Sequence, residues 1–354
     1  MILYYSYAHS DQDYGGNIIR KRNLAFLQKL AGEDEVFFYA LQAPTTWLSK
    51  IIRNLQIITG CEFGLDKDLL LKIRESHLVF IDGTTESGLS RSSLRMGKII
   101  SFFHNVEYDY YCQNTVQTKN IIKKMMHWFH KKAIFAYERR LVRYSDTVIT
   151  LNQRDSDRLK ELYGRESDLL LPTSMEDVYK ESTSSSEEKE PYLLFIGFDF
   201  FGNTEGLFWF CEKCMPKIRA SMIVAGKGMD KYKEKFPSER IKFYGYVEDL
   251  SELYRNAAAV VLPIISGSGM KTKTCEAMMY GKVIFGTRES FEGYKLSEDC
   301  ILCEDDSAFI DKINAYLEKG IRRFSPANRE VYLQNYESSI VAERFIKYFA
   351  EEKI

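Results

Sequence analysis

PIISGSGMKTKTCEAMMYGK, residues 263–282, places a strand end, a glycine turn and the start of a charged helix in one short stretch. The run AAVVLPI leading into it (258–264) is continuously apolar, which reads as a short buried strand of a parallel sheet. Gly267 and Gly269 allow backbone angles closed to other residues, so the chain can turn tightly and present its amides. From about Lys271 the pattern turns helical, with Ala277, Met278 and Tyr280 available for packing and Gly281 where the helix should stop. Unpaired N–H groups and the positive end of the helix dipole meet just beyond Gly269, which predicts an anion site suited to a diphosphate. Lys273 and Glu276, three residues apart, share one helix face. The lysine can hold a phosphate, and the carboxylate, acceptor-only when ionised, can receive two neighbouring sugar hydroxyls. The competing reading is a surface ion pair worth roughly 0.2 to 0.5 kcal/mol. Because ligands in open α/β sheets bind at the carboxyl ends of strands, position favours the functional one.

A chain of 354 residues exceeds one typical core and suits two domains. Its hydrophobic share of 45% and charged share of 28% describe a folded protein without a disorder signature. The net charge of -1 conceals an asymmetry: 24 Lys and Arg face 20 Asp and Glu through Pro172, and 25 face 30 after it. Much of the positive excess lies in KNIIKKMMHWFHKKAIFAYERRLVR, which begins at Lys119 and ends at Arg143. Such a distribution argues against wholesale nucleic-acid binding and allows one basic surface. Met125, Met126, Trp128 and Phe129 alternate there with Lys123, Lys124, Lys131 and Lys132, so a peripheral contact with an anionic membrane and an ordinary solvated helix are both open. With no apolar run of spanning length and no signal-peptide pattern, the expected location is cytoplasmic, at the inner membrane face if that contact holds. Seven cysteines suit reduced thiols. Cys211 with Cys214 and Cys300 with Cys303 have zinc-knuckle spacing but lack the turn glycine a knuckle needs, and no metal is expected.

In chain order, ILYYSY is a strand, and SDQDYGGN a loop whose Gly15 and Gly16 precede the helix NIIRKRNLAFLQKLAG, a second candidate phosphate cradle. The strand EVFFYAL, a helical region over 45–58, the strand HLVFID and the strand KIISFF follow. The last ends on His104, Asn105, Val106 and Glu107, polar groups converging at a strand's carboxyl end. After the basic helix come TVITL, the helix QRDSDRLKELYG and DLLLP. EDVYKESTSSSEEKEP carries no apolar period and reads as a linker. The second half alternates again: YLLFIG, a helix after Asn203, SMIVAGKG, IKFYGYV, the helix EDLSELYRNA, AAVVLPI, the opening helix, KVIFGT, CILCED and three further helical stretches. The fold class is therefore α/β, two doubly wound Rossmann-like domains facing a cleft. Expected boundaries are 1–175 for the first domain, 176–190 for the linker, 191–335 for the second domain and 336–354 for a closing helix.

GSGMKTKTCEAMMYGKVIFGT (267–287) resembles the signature of GT-B glycosyltransferases of the large retaining family four, the group 1 transferases. HNVE (104–107), AYERRLVRYSDTVITLNQRDSDRL, FIGFDFFGNTEGLFWF, VAGKG and FYGYVEDLSELYRNA extend the resemblance to nearly the whole chain. It implies that Glu276 contacts the donor ribose, Lys273 the diphosphate, and the amides of Gly269, Met270, Lys271 and Thr272 its phosphates. It further implies that Tyr246 and Val247 frame the base, with Gly226 of VAGKG also on the donor side. Gly15 and Gly16 would face the diphosphate from the first domain, and His104, with Glu107 beside it, would stand near the transferring carbon.

Two departures accompany it. The family pattern has a Glu, seven residues, then a Glu, and here the first falls on Ser268; the loop GFDFFGNTEG lacks the usual basic residue. Contacts to the sugar's 3- and 4-hydroxyls would then differ, and the diphosphate would lean on Lys273, Lys271 and the helix amides. The expected reaction is transfer of a glycosyl group from a UDP- or GDP-type nucleotide sugar to a glycan, polysaccharide or lipid-linked acceptor. Retention is implied by the resemblance. Amides and a lysine can stabilise a leaving diphosphate without a metal or other cofactor. A non-catalytic GT-B subunit or scaffold, which Ser268 keeps open, and a nucleotide-sugar epimerase are the alternatives.

Overall fold

The structure is a computed structural model that describes residues 1–7, 15–41, 46–60, 67–83, 89, 93–95, 97–117, 121–181 and 190–351. The chain forms two compact units, Met1–Pro172 with Ala342–Ile354, and Thr173–Val341.

The first unit runs β1 (Ile2–Tyr7), α1 (Gly15–Ala31), β2 (Val36–Leu41), α2 (Trp47–Thr59), α3 (Lys67–Glu75), β3 (Leu78–Asp82), β4 (Lys98–Phe103), α4 (Glu107–Gln117), α5 (Ile121–Tyr144), β5 (Thr147–Thr150), α6 (Gln153–Tyr163) and β6 (Leu169–Leu170). Its strands pair in parallel in the order β2-β1-β3-β4-β5-β6. The runs LVFID and TVIT are buried at every position, as strands covered by helices on both faces must be. Neither α3 nor α4 was expected from the sequence.

Gly15 and Gly16 do not precede the first helix as expected; they form its first turn. The first amides of a helix have no intrahelical acceptor, so this turn still presents N–H groups. The rest of that expected loop before the helix, 10–14, lies outside the described residues.

The second unit contains β7 (Tyr192–Ile196), α7 (Phe201–Lys213), β8 (Ser221–Ala225), β9 (Ile241–Tyr244), α8 (Ser251–Asn256), β10 (Ala259–Leu262), α9 (Thr272–Met279), β11 (Ile284–Gly286), β12 (Cys300–Leu302), α10 (Asp306–Lys319) and α11 (Pro326–Asn335). Its parallel order is β12-β11-β10-β7-β8-β9. The chain therefore winds outward from β7 through β8 and β9, then returns to β7's other side with β10. Loops leaving β7 and β10 diverge at that switch point, which is where such sheets open a crevice. Gly281 ends α9 at φ 58, and a Cβ there would lie 2.4 Å from the Phe324 ring, so glycine meets both the turn and the close approach.

The first residues of the expected linker are fixed to the second unit. Asp177 pairs with Arg329, the Tyr179 ring stacks on Phe324 at 5.6 Å, and Met175 bridges to Glu337. Residues 182–189 of that segment lie outside the described residues. The last helix, α12 (Ser338–Glu351), carries Phe345 to 5.9 Å from Phe26 and 6.3 Å from Phe80, ring centre to ring centre, within the first unit.

Candidate active site

In the second unit the loops at the carboxyl ends of β7, β8, β9 and β10 carry most of the residues singled out by the sequence. The turn after β10 holds Gly267 at φ 147 and Gly269 at φ 61, both closed to most residues. Lys271 is the N-cap of α9 and gives no side chain to the helix amides, so those of Thr272 and Lys273 are left for another acceptor. Its ammonium folds back instead, donating to the carbonyls of Ser268 at 3.1 Å and Gly269 at 2.9 Å and pairing with Glu289 at 2.7 Å. Lys271 thus braces the turn by its side chain. Met270 is buried, its sulfur 3.5 Å from the Thr173 amide.

Lys273 points the other way, across the switch point. Its ammonium donates to Asn203 Oδ1 on α7 and stands 4.8 Å above the Phe195 ring of β7. Burial lowers its pKa to about 7, nearby Lys271 adds to that, and Glu276 opposes it. Gly197 makes room here, since a Cβ would meet Lys273 Nζ and Asn203 Nδ2 at 3.2 Å.

Glu276, one turn further along α9, accepts the Tyr254 hydroxyl on Oε2 at 2.8 Å. Tyr254 is fully buried on α8, its ring stacked on Tyr280 at 4.4 Å and 8°. Oε1 of Glu276 has no hydrogen-bond partner among the described residues. Burial raises the carboxyl, and Tyr254 and Lys273 oppose that rise. The result is a half-buried carboxylate held from one side and open on the other.

Ser268 is half-buried and no carboxylate replaces it within the turn. One approaches from α7: Glu205 Oε2 accepts the Ser266 hydroxyl at 2.8 Å. Gly226 sits at φ 143, where a Cβ would come 2.1 Å from the Gly197 carbonyl oxygen, so the loops after β7 and β8 touch backbone to backbone. Tyr246 is 77% exposed and Val247 half-buried in the loop after β9, leaving the tyrosine ring available as a platform.

The other predicted residues belong to the first unit. His104 follows β4, and its Nε2 bonds to Asp82 Oδ1 at 2.5 Å. Asp82, buried at the end of β3, also receives the hydroxyl of Tyr4 and, at 2.9 Å, the amide of Asn23. Burial alone would raise this carboxyl, but His104, Tyr4 and Asn23 outweigh it and hold it below the usual carboxylate range. An ionised carboxylate only accepts, so Nε2 carries the proton and Nδ1 of a neutral His104 keeps the lone pair. Glu107 opens α4, and the structure fixes its backbone: its amide donates to buried Glu138 Oε1 at 2.9 Å. Glu138 also receives the Tyr108 amide at 3.3 Å and the Tyr163 hydroxyl at 2.8 Å, capping α4 from α5.

The sequence reading missed Asn203, Glu205, Tyr254, Asp82 and Glu138. Asn203 and Glu205 stand in the quoted GNTEG, and Tyr254 in DLSELYRNA, which was read only as a helix.

Residues 190–319 match the family model described as glycosyl transferases group 1, and the folds of both units are those of GT-B glycosyltransferases. Among solved structures, Anabaena HepE in complex with UDP-glucose is 11% identical, with a TM-score of 0.67 over 99% of this chain and 100% of that one. The lipopolysaccharide outer core galactosyltransferase WaaB is 12% identical with a TM-score of 0.63, covering 99% of each chain. A curated relative from Klebsiella pneumoniae, a 44.6 kDa protein in the cps region, is 22% identical over 306 residues, 81% of this chain and 76% of its own length.

Proposed function

We propose that the protein transfers a glycosyl group from a UDP-type sugar to a growing glycan, polysaccharide or lipid-linked acceptor, with retention at the anomeric carbon and without a metal. The carrying observation is the pair of contacts on α9, Lys273 to Asn203 and Glu276 to Tyr254, mounted behind an uncapped glycine turn at the sheet's switch point. In this reading Oε1 of Glu276 accepts ribose hydroxyls, and Lys273 with the amides of Gly269, Met270 and Thr272 meets the diphosphate. Tyr246 and Val247 frame the base, and Gly226 keeps the loops close. Of the first unit's residues, the reading assigns the Gly15 and Gly16 amides to diphosphate binding and His104, fixed by Asp82, together with Glu107 to the chemical step. The bond from the anomeric carbon to the diphosphate oxygen breaks with its electron pair staying on that oxygen, one to an acceptor hydroxyl oxygen forms, and that hydroxyl's proton passes to the departing diphosphate. Charge grows on the diphosphate as its bond breaks, which is what a fixed ammonium and fixed amides stabilise. HepE, similar in fold, was solved with UDP-glucose, which supports the choice of base. A peripheral membrane contact through the segment from Lys119 to Arg143 would bring the protein to a lipid-linked acceptor; Lys119 and the side chain of Lys123 lie outside the described residues.

The test is nucleotide release from UDP- and GDP-sugars with and without a polyprenyl-diphosphate-linked saccharide or a soluble glycan. Acceptor-stimulated release of UDP is expected. Conversion of the donor sugar without release would make the protein an epimerase, and binding without either reaction would make it a scaffold.

A further inference from the structure

Helix α2 is apolar on two sides: Ile57 and Ile58 pack on the core, and a second set of apolar side chains faces outward. Trp47, Leu48, Ile52 and Leu55 are 62%, 58%, 40% and 48% exposed, whereas Asn54 and Ile57 are buried. Leu48, Ile52 and Leu55 recur at i, i+4 and i+7, so they form one face. Across the helix, Asn54 Oδ1 accepts from His130 Nδ1 at 2.8 Å, and Lys50 and Arg53 join it in lining a pocket of about 200 Å³ shared with Tyr111, His127 and His130. A helix that only covered a core would have its polar side toward water. An outward apolar face of this kind marks a contact surface.

Charge identifies what it contacts. The helix α5 packs against α2 and exposes Ile121, Met125 and Trp128, again at i, i+4 and i+7, by 69%, 66% and 50%. Lys132 follows one turn on, its ammonium 3.9 Å from the centre of the Trp128 ring. WLSKIIRNLQIIT contains no acidic residue, and α5 contains none before Glu138, while Lys50, Arg53, Lys124, Lys131 and Lys132 supply cations. Apolar side chains with tryptophans, flanked by cations and free of carboxylates, match the acyl boundary and phosphates of an anionic bilayer.

We propose that α2 lies in the interface of an anionic lipid bilayer with Leu48, Ile52 and Leu55 toward the acyl chains, while α5 supplies cations to the headgroups. This deepens the membrane contact proposed above and rests on it for α5; the placement of α2 stands on that helix's own exposure.

The chain has three tryptophans, so Trp128→Phe with Trp209→Phe leaves Trp47 as a single reporter in the full-length protein. With vesicles of phosphatidylcholine and phosphatidylglycerol in a two-to-one ratio, Trp47 emission should move to the blue and be quenched by brominated acyl chains. Phosphatidylcholine vesicles alone should sediment roughly tenfold less protein, since each basic residue near an anionic surface adds to the attraction. Leu48→Gln with Leu55→Gln should reduce sedimentation roughly tenfold with unfolding temperature unchanged, because both residues already face water. Bound vesicles with unshifted, unquenched Trp47 would overturn insertion of α2. A blue Trp47 in lipid-free protein that sediments as a dimer would overturn it in favour of a second copy of the chain, and persistent monomers that ignore both vesicles would overturn it outright. UDP-sugar binding on the same samples separates the two readings: intact donor binding with no vesicle binding removes only the membrane inference, and the converse removes only the donor site.

Discussion

The Tyr254 hydroxyl donates to Glu276 Oε2 at 2.8 Å, a contact between α8 and α9 that leaves Oε1 as the carboxylate's outward oxygen. If that oxygen holds ribose hydroxyls, Glu276→Ala should weaken UDP-sugar binding by about 1.5 to 3 kcal/mol, the range for hydrogen bonds to a charged group. Tyr254→Phe keeps the ring stacked on Tyr280 and should lose about 0.5 to 1.5 kcal/mol, because the carboxylate is then less well oriented. Calorimetry checks both, and unchanged affinity for Glu276→Ala would remove Glu276 from the site.

Lys273 titrates from a pKa of about 7, pulled down by burial. At pH 8 most of it is then neutral in the free protein. A bound diphosphate favours the ammonium and raises that pKa, so UDP binding should take up as much as one proton between about pH 7 and 9. Affinity should fall as pH rises through that window. Heats of binding measured in buffers of different ionisation enthalpy report the uptake, and Lys273→Met should abolish it. Buffer-independent heats in the native protein would mean that the ammonium does not meet the diphosphate. In turnover, Lys273→Ala should lower kcat more than it raises KM, since charge grows as the sugar leaves.

Gly226→Ala should destabilise the second unit by about 2 to 4 kcal/mol, because the new Cβ would collide with the Gly197 carbonyl at a φ that L residues rarely adopt. Denaturant unfolding measures this directly. A loss below about 0.5 kcal/mol would show that the two loops separate easily.

Glu138→Ala should cost about 2 to 4 kcal/mol by leaving the amides of Glu107 and Tyr108 and the Tyr163 hydroxyl without their acceptor. Glu138→Gln retains one carbonyl acceptor and should recover part of that loss. Equal stabilities for the two variants would mean that the cap contributes nothing through its hydrogen bonds.

Strands such as LVFID and AVVL were legible because a fully buried parallel strand needs a continuous apolar run. Lys273 and Glu276 were legible for a local reason as well: they follow a glycine turn on one helix face. Their partners were not, since Asn203 reaches Lys273 across 70 positions and Tyr254 reaches Glu276 across 22, separations that helical period does not encode. Gly15 and Gly16 read as loop because glycine lowers helix propensity, yet the first turn tolerates it where amides must stay exposed. The orientation of α2 was illegible in principle: WLSKIIRNLQIIT is apolar at Ile57 and Ile58 as well as at Leu48, Ile52 and Leu55, and only tertiary packing decides which set faces out.

The first unit is discontinuous, closed by residues 342–354 after the whole of the second has intervened. During synthesis the second unit is complete in sequence before the segment that seats Phe345 on Phe26 and Phe80 has been made. The earlier-born unit must therefore wait with part of its apolar surface uncovered, while the later-born one can finish folding first. Truncations that remove 342–354 should consequently leave a nascent first unit prone to chaperone capture, with the second still folded.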